Sequence, residues 1–277
     1  MLTEQPSMAI NILDLWDFSQ PAQSEERFNS LLSNARPNDQ LILKTQIART
    51  YGLRKDFKRA REILTDVLLQ LTNASAEAVV RFHLEWGRTL CSTAHAPESM
   101  TQIAREEARR HYLKAIDLAK RKQLDYLAID AMHMMTLVDT EPEDQLKWNQ
   151  EAIAYMEAST QADSMLWEGS LRNNLGYALN LAGRLDEAME QFELALAARE
   201  KQGKTKPIRI AHWMIAWNLF AMGKIDEALS IQHVLEHEYD AEGERDLYVY
   251  EQLELLYRAK GDEEKAEFYA QKHRDAW

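Results

Sequence analysis

The chain is poor in the residues that interrupt helices. Among 277 residues there are 9 glycines and 6 prolines, while Ala, Leu, Glu, Gln and Arg recur throughout, a balance that favours helix propagation over strands and turns. It has one cysteine, Cys91, which excludes an intrachain disulfide and a multi-cysteine metal site and fits a reducing cytoplasm. No run of about 18 uninterrupted apolar residues occurs, so a membrane-spanning helix is excluded. The opening MLTEQPSMAINILDLWDF lacks a cationic leader and a small-residue cleavage pattern, and it carries Asp14 and Asp17, so it does not read as a signal peptide. Positive charge is scarce too. With 33 Lys and Arg against 45 Asp and Glu, the formal charge is -12, which works against binding driven by nucleic-acid phosphates. The composition therefore predicts an all-α protein with neither nucleic acid nor membrane as partner.

What the chain does contain is periodic. In residues 171–182, Leu171, Leu175, Ala178, Leu179 and Ala182 fall on one helical face. Gly183-Arg184 breaks that pattern, and Leu185, Ala188, Phe192, Ala195 and Leu196 share a second face, with Asp186 and Glu187 in the first turn where the helix dipole favours acids. Helices joined by so short a turn pack antiparallel, and Gly176 and Ala188 are the small residues expected at their contact. The punctuation recurs: Gly183-Arg-Leu-Asp-Glu-Ala188 is matched by Gly223-Lys-Ile-Asp-Glu-Ala228 and Gly261-Asp-Glu-Glu-Lys-Ala266. That is an internal repeat.

The pattern Leu175-Gly176, Gly183, Ala188-x-x-x-Phe192 resembles the tetratricopeptide-repeat family, with weaker counterparts at Ile47-Ala48 to Tyr51 followed by Asp56-Phe57 and Ala60, and at Trp86-Gly87 followed by Ala108. The resemblance implies a right-handed α-solenoid of about six helix pairs, at 38–71, 75–121, 124–159, 163–202, 205–240 and 244–276, the third being the most degenerate. One domain is expected over 1–277, with 1–37 as an N-terminal cap and 38–276 as repeats. The cap should hold one helix after Ser24, with Ile12, Leu15, Trp16 and Phe18 packed over the first pair.

In this family the first helix of each pair lines the concave face. Helical angles then place Ile42, Thr45 and Arg49 there, followed by Arg81, Leu84 and Arg88, and by Tyr126, Ile129 and His133. The later pairs contribute Ser170, Asn173, Tyr177 and Asn180, then Ile210, Trp213 and Trp217, then Tyr248, Glu251, Leu255 and Arg258. Four arginines and one histidine face a single acid in this set, and aromatic residues are plentiful. Such a groove should bind an extended, acidic protein or peptide segment. Trp213 and Trp217 could instead fill contacts between pairs. Reversing the charge of Arg49 and Arg88 is expected to weaken binding of an acidic partner steeply and in a salt-dependent way, and barely to change folding. A clamp for a terminal carboxylate, which the resemblance also implies, is weakened because the slots flanking Asn174 hold Ala128, Met132, Ile210 and Met214.

Two other readings compete with a non-enzymatic, cofactor-free, cytoplasmic adaptor. One is a peptide-sensing regulator, although the residues before the first pair are too few for a helix-turn-helix domain. The other is a hydrolase or metal enzyme built on Asp130 and His133, one turn apart, or on His233 and His237, whose i, i+4 spacing puts two imidazoles on one face. No nucleophile lies beside the first pair in sequence. The second pair reads as exposed and metal-free, so alanine replacements there are expected to be silent.

Overall fold

The computed structural model describes residues 10–275, and all regular structure among them is helical. The chain forms two compact units, residues 1–140 and residues 141–277. The first holds α1 (Ile12–Leu15), α2 (Pro21–Leu32), α3 (Pro37–Leu53), α4 (Phe57–Leu68), α5 (Ala76–Arg88), α6 (Gln102–Arg121) and α7 (Asp125–Met135). The second holds α8 (Pro142–Ala158), α9 (Glu168–Leu181), α10 (Leu185–Gln202), α11 (Thr205–Ala221), α12 (Ile225–Ala241), α13 (Leu247–Lys260) and α14 (Glu263–Asp275). From α3 onward these are the twelve helices expected from the six segments. The division between the units falls inside the most degenerate segment, 124–159: α7 packs on α6, and α8 packs on α9.

The small residues of the repeat sit where bulk would separate the helices. A Cβ at Gly176 would stand 2.7 Å from the ring of Phe192, and one at Gly87 would stand 2.5 Å from Tyr112. Both rings are fully buried, so each glycine admits an aromatic whose burial is worth about 1.5–3 kcal/mol. Tyr112 also donates from its hydroxyl to the Cys91 carbonyl at 2.8 Å. This bond anchors the long α5–α6 connection beneath the repeat's core.

In four of the six pairs the chain reverses through one left-handed residue: Gly183 and Gly223 take it at φ +75° and Gly261 at φ +80°, but Lys55 occupies the same position at φ 65°. Gln123, at the α6–α7 turn between two pairs, is left-handed too, at φ 54°. The earlier repeats are hard to see in sequence partly because their turn glycine has been replaced. A left-handed conformation costs a non-glycine residue about 1–2 kcal/mol, against which glycine loses about 0.5–1 kcal/mol of extra chain entropy. Lys55→Gly and Gln123→Gly are therefore expected to stabilise the chain by up to about 1 kcal/mol each, read as a rise in Tm, whereas Gly183→Ala should lower it.

The cap differs from expectation in two respects. The helix α2 begins at Pro21, before Ser24, because proline at the first helical position is already set for the helix and loses no hydrogen bond. Ser24 is instead buried and ties down the entry, its hydroxyl accepting from the Asp17 amide at 2.8 Å. Ile12 is buried, and Leu15 and Trp16 pack on the first core, with Trp16 donating from Nε1 to Gln46 at 2.9 Å. Phe18, expected in that core, is 52% exposed and stacks on Trp16 at 4.6 Å.

Candidate functional site

In the first unit the expected cationic residues do converge, but with acids among them. Arg88 on α5 donates to Asp130 on α7 and, at 2.6 Å, to Glu85 one turn earlier on its own helix. Arg49 on α3 places Nη1 3.8 Å from Glu85 and 3.8 Å from Asp130. Both carboxylates are almost wholly buried. Burial alone would raise the Asp130 carboxyl, but the guanidiniums of Arg88 and Arg49 outweigh it and hold the group below the usual carboxylate range. Burial and the neighbouring Arg88 push Arg49 down, while Asp130 and Glu85 overcome the burial of Arg88 and push it up. Two cations thus meet two anions, and the face is charge-balanced.

The remaining candidates of this unit are also engaged. The rings of Trp16 and Phe18 cover the Arg49 guanidinium, with centroids at 5.5 and 5.0 Å. Arg81, nearly buried, donates to Glu77 at 2.8 Å. Thr45, Leu84, Ile42 and Ile129 are core residues. Burial pushes the His133 imidazole below its ordinary value against the opposing pull of Asp130, with Arg88 and Arg49 adding to the fall. Asp130 therefore serves chiefly as the counter-ion of Arg88 rather than as the orienting acid of an acid–base pair with His133. Helical angle does not select the acids, because Glu85 lies next to Leu84 at the edge of the concave stripe and Asp130 is next to Ile129.

The histidines of α12 do not act as a pair. His233 turns toward the end of the chain, with Nε2 2.8 Å from the Tyr257 hydroxyl and Nδ1 3.2 Å from Glu236. Glu236 in turn accepts from Tyr269 at 2.9 Å and from Lys272 at 2.6 Å. His237 is exposed. His233 thus has a packing role between α12, α13 and α14, and its replacement by alanine is not expected to be silent.

A histidine pair that the sequence did not single out joins α5 to α6. His83 and His111 set their Nδ1 atoms 3.0 Å apart, which requires one donor and one acceptor, hence at least one neutral ring. Burial, then charge from His111 and Lys114, lowers His83 to about 4; burial, Lys114 and Arg110 lower His111 to about 4. The folded state therefore binds fewer protons than the unfolded chain between pH 6.5 and 4, and stability must fall as pH drops through that window. Melting at pH 7 and pH 4.5 should show the loss, and a His83→Gln/His111→Gln variant should show less of it.

The corresponding face of the second unit has a different character. Tyr177 on α9 stacks on Trp217 on α11 at 5.3 Å; Trp217 stacks on Trp213 one turn away at 6.4 Å; Trp213 meets Tyr248 on α13 edge-on at 6.2 Å. Tyr177 is 45% exposed and Tyr248 67%, with Ile210 at 42% beside them. Trp213 and Trp217 between them are half-buried, so the face presents a partly exposed aromatic patch of the kind that marks interaction sites. Trp213 also packs on the unit's core and donates from Nε1 to the Tyr248 carbonyl at 3.1 Å. The row is therefore held in place before anything binds.

Polar neighbours divide into structural and available groups. Asn180 is nearly buried and donates to Asn218 at 2.8 Å, and Asn218 donates to the Leu185 carbonyl at 3.0 Å, a bridge that fixes α9 against α11. Arg258 is exposed and paired with Glu254 at 3.0 Å and Glu263 at 3.1 Å. Asn173, one turn before Tyr177, has a side-chain carbonyl with no hydrogen-bond donor. Ser170, Glu251 and Leu255 are exposed.

Comparison with known proteins places this geometry. Residues 169–201, which span α9 and α10, match the family model described as tetratricopeptide repeat. No curated protein sequence matches the chain. Among solved structures, the apo form of RapI is similar with TM-score 0.68 at 11% identity, over 96% of this chain and 73% of that one. A Rap protein complexed with Competence and Sporulation Factor gives 0.63 at 10%, over 96% and 75%. A tetratricopeptide repeat protein from Parabacteroides merdae gives 0.52 at 14%, over 96% and 90%. Residues 169–201 are a tetratricopeptide repeat by sequence, and the all-α fold of the chain is similar to that of a solved tetratricopeptide repeat protein and of Rap proteins.

Proposed function

We propose that the chain is a cytoplasmic binding protein rather than a catalyst, and that it holds an extended polypeptide segment against the face of α9, α11 and α13. The observation that carries this reading is the row Tyr177, Trp217, Trp213 and Tyr248, exposed at its two ends and half-buried at the two tryptophans. Its three steps of 5.3, 6.4 and 6.2 Å match the reach of about five residues of extended chain. Aromatic rings give binding energy at little entropic cost, the more so when they are already stacked in place. The fold likeness to a Rap protein solved with its factor supports a held partner.

The acidic ligand expected from the sequence has less support. Arg49 and Arg88, on which it rested, already satisfy Glu85 and Asp130. The reading is tested by selecting a random dodecapeptide display library on the full chain and counter-selecting on a Tyr177→Ala/Trp217→Ala variant. Peptides retained by the wild type alone are the expected outcome. A library that yields nothing, or only peptides held equally by both proteins, refutes the assignment.

A further inference from the structure

We infer that the bound segment is basic and inserts one large apolar side chain into a cavity beside Trp213. This rests on the reading just given. The cavity, of about 280 Å³, opens between α11, α12 and α13 and is walled by Ile210, Trp213, Met214, Leu235, Tyr248 and Val249. It is far larger than the ~30 Å³ share of one water, and its apolar wall offers water few partners, so filling it with a hydrocarbon side chain is favourable. Trp213 and Tyr248 belong both to the cavity and to the aromatic row. A segment lying along the row therefore has its anchor position fixed at that end.

Charge decides what flanks the anchor. At the cavity's edge Arg209 is bound by Glu238 at 2.9 Å and by both carboxylate oxygens of Glu242 at 2.8 and 2.6 Å, two anions on one cation. Asp246 adds a third carboxylate, which caps α13 by accepting from the Tyr248 amide at 2.9 Å. Glu251 lies exposed one turn beyond Tyr248. The pattern extends to the whole unit: residues 1–140 carry as many basic as acidic side chains, so the formal -12 of the chain falls on residues 141–277. The cavity's own charged lining is Arg209 and Asp246, and with Glu238 and Glu242 already holding Arg209 the acids outnumber the base around its edge, which attracts Lys or Arg beside the anchor and repels Asp or Glu.

The test uses peptides recovered from the random dodecapeptide library on the full chain. They are expected to share one Leu, Ile, Met or Phe flanked by Lys or Arg. Replacing that residue by Ala, or the flanking Lys by Glu, should weaken binding about tenfold or more, and added salt should weaken it further. Ile210→Trp, which fills the cavity mouth from an exposed position, should remove the preference for a large anchor while leaving Tm unchanged. Recovered peptides that are acidic, that lack an apolar anchor, or that bind Ile210→Trp as well as wild type overturn the inference. If those same peptides still depend on Tyr177 and Trp217, the binding face stands and only its specificity has been misassigned. Recovery of no peptide overturns both.

Discussion

Arg88→Glu is expected to unfold residues 1–140 under conditions where the wild type is native. The substitution removes the counter-ion of Asp130 and sets a third carboxylate beside Glu85 and Asp130, both almost wholly buried. Removing one partner of a buried ion pair costs about 3–5 kcal/mol, a large share of the roughly 5–15 kcal/mol that keeps a domain folded. The sequence alone leads to the opposite expectation, that reversing Arg49 and Arg88 would barely change folding and act on a ligand; the internal partners Glu85 and Asp130 argue against it. Arg88→Met combined with Asp130→Leu removes both charges and should recover most of the stability, since an apolar pair can replace a buried ion pair at little cost. Denaturant melts followed by circular dichroism, with hydrogen exchange to locate the loss, compare the three proteins. Native-like stability of Arg88→Glu would show that the network is not what joins α3, α5 and α7.

The second large effect is on binding. Tyr177→Ala with Trp217→Ala is expected to weaken a library-selected peptide by about 2–4 kcal/mol, on the order of 30- to 1,000-fold, as truncation of central aromatic anchors does. Tyr177 is 45% exposed, so its loss should cost little stability, and the Trp217 change opens a site already partly in water. Trp213→Ala should behave differently. That ring packs on the unit's core and bonds the Tyr248 carbonyl, so it should lower Tm as well as affinity, with about 3–5 kcal/mol lost if it behaves as a core aromatic. Isothermal titration beside thermal melts separates the cases. A variant whose affinity falls only in proportion to its stability would argue that the row is packing alone.

The order and bounds of the helices were legible because each depends on local signals. The three-to-four periodicity of the apolar residues and the turn at Gly183 act within a few residues, and the small residues Gly87 and Gly176 only admit a ring from the next helix, Tyr112 and Phe192. The cap was less legible. Whether Phe18 enters the core depends on how α2 lies, and that depends on Pro21 and on the Ser24–Asp17 bonds, which no periodicity reports. On the face proposed to bind, helical angle groups Tyr177, Trp213, Trp217 and Tyr248 because all four project from first helices at the same phase. The same angular selection hides the charge balance. Angle alone takes Arg49 and Arg88 as lining residues but cannot show that Asp130, two helices along the layer from Arg49, turns back to meet them. Ion pairs between helices distant in sequence are tertiary facts. His233 shows it again, with its partner Tyr257 on α13.

Where the ligand lies is the central claim, and photo-crosslinking tests it most directly. A library-selected peptide carrying a benzophenone side chain at its apolar position is irradiated on the full wild-type chain, and the adducts are mapped by mass spectrometry. Adducts on Ile210, Trp213, Met214 or Tyr248, suppressed by excess unlabelled peptide and lost with Tyr177→Ala/Trp217→Ala, are the predicted result. Competable adducts confined to α3, α5 and α7, or to the helices α10 and α14, would contradict it.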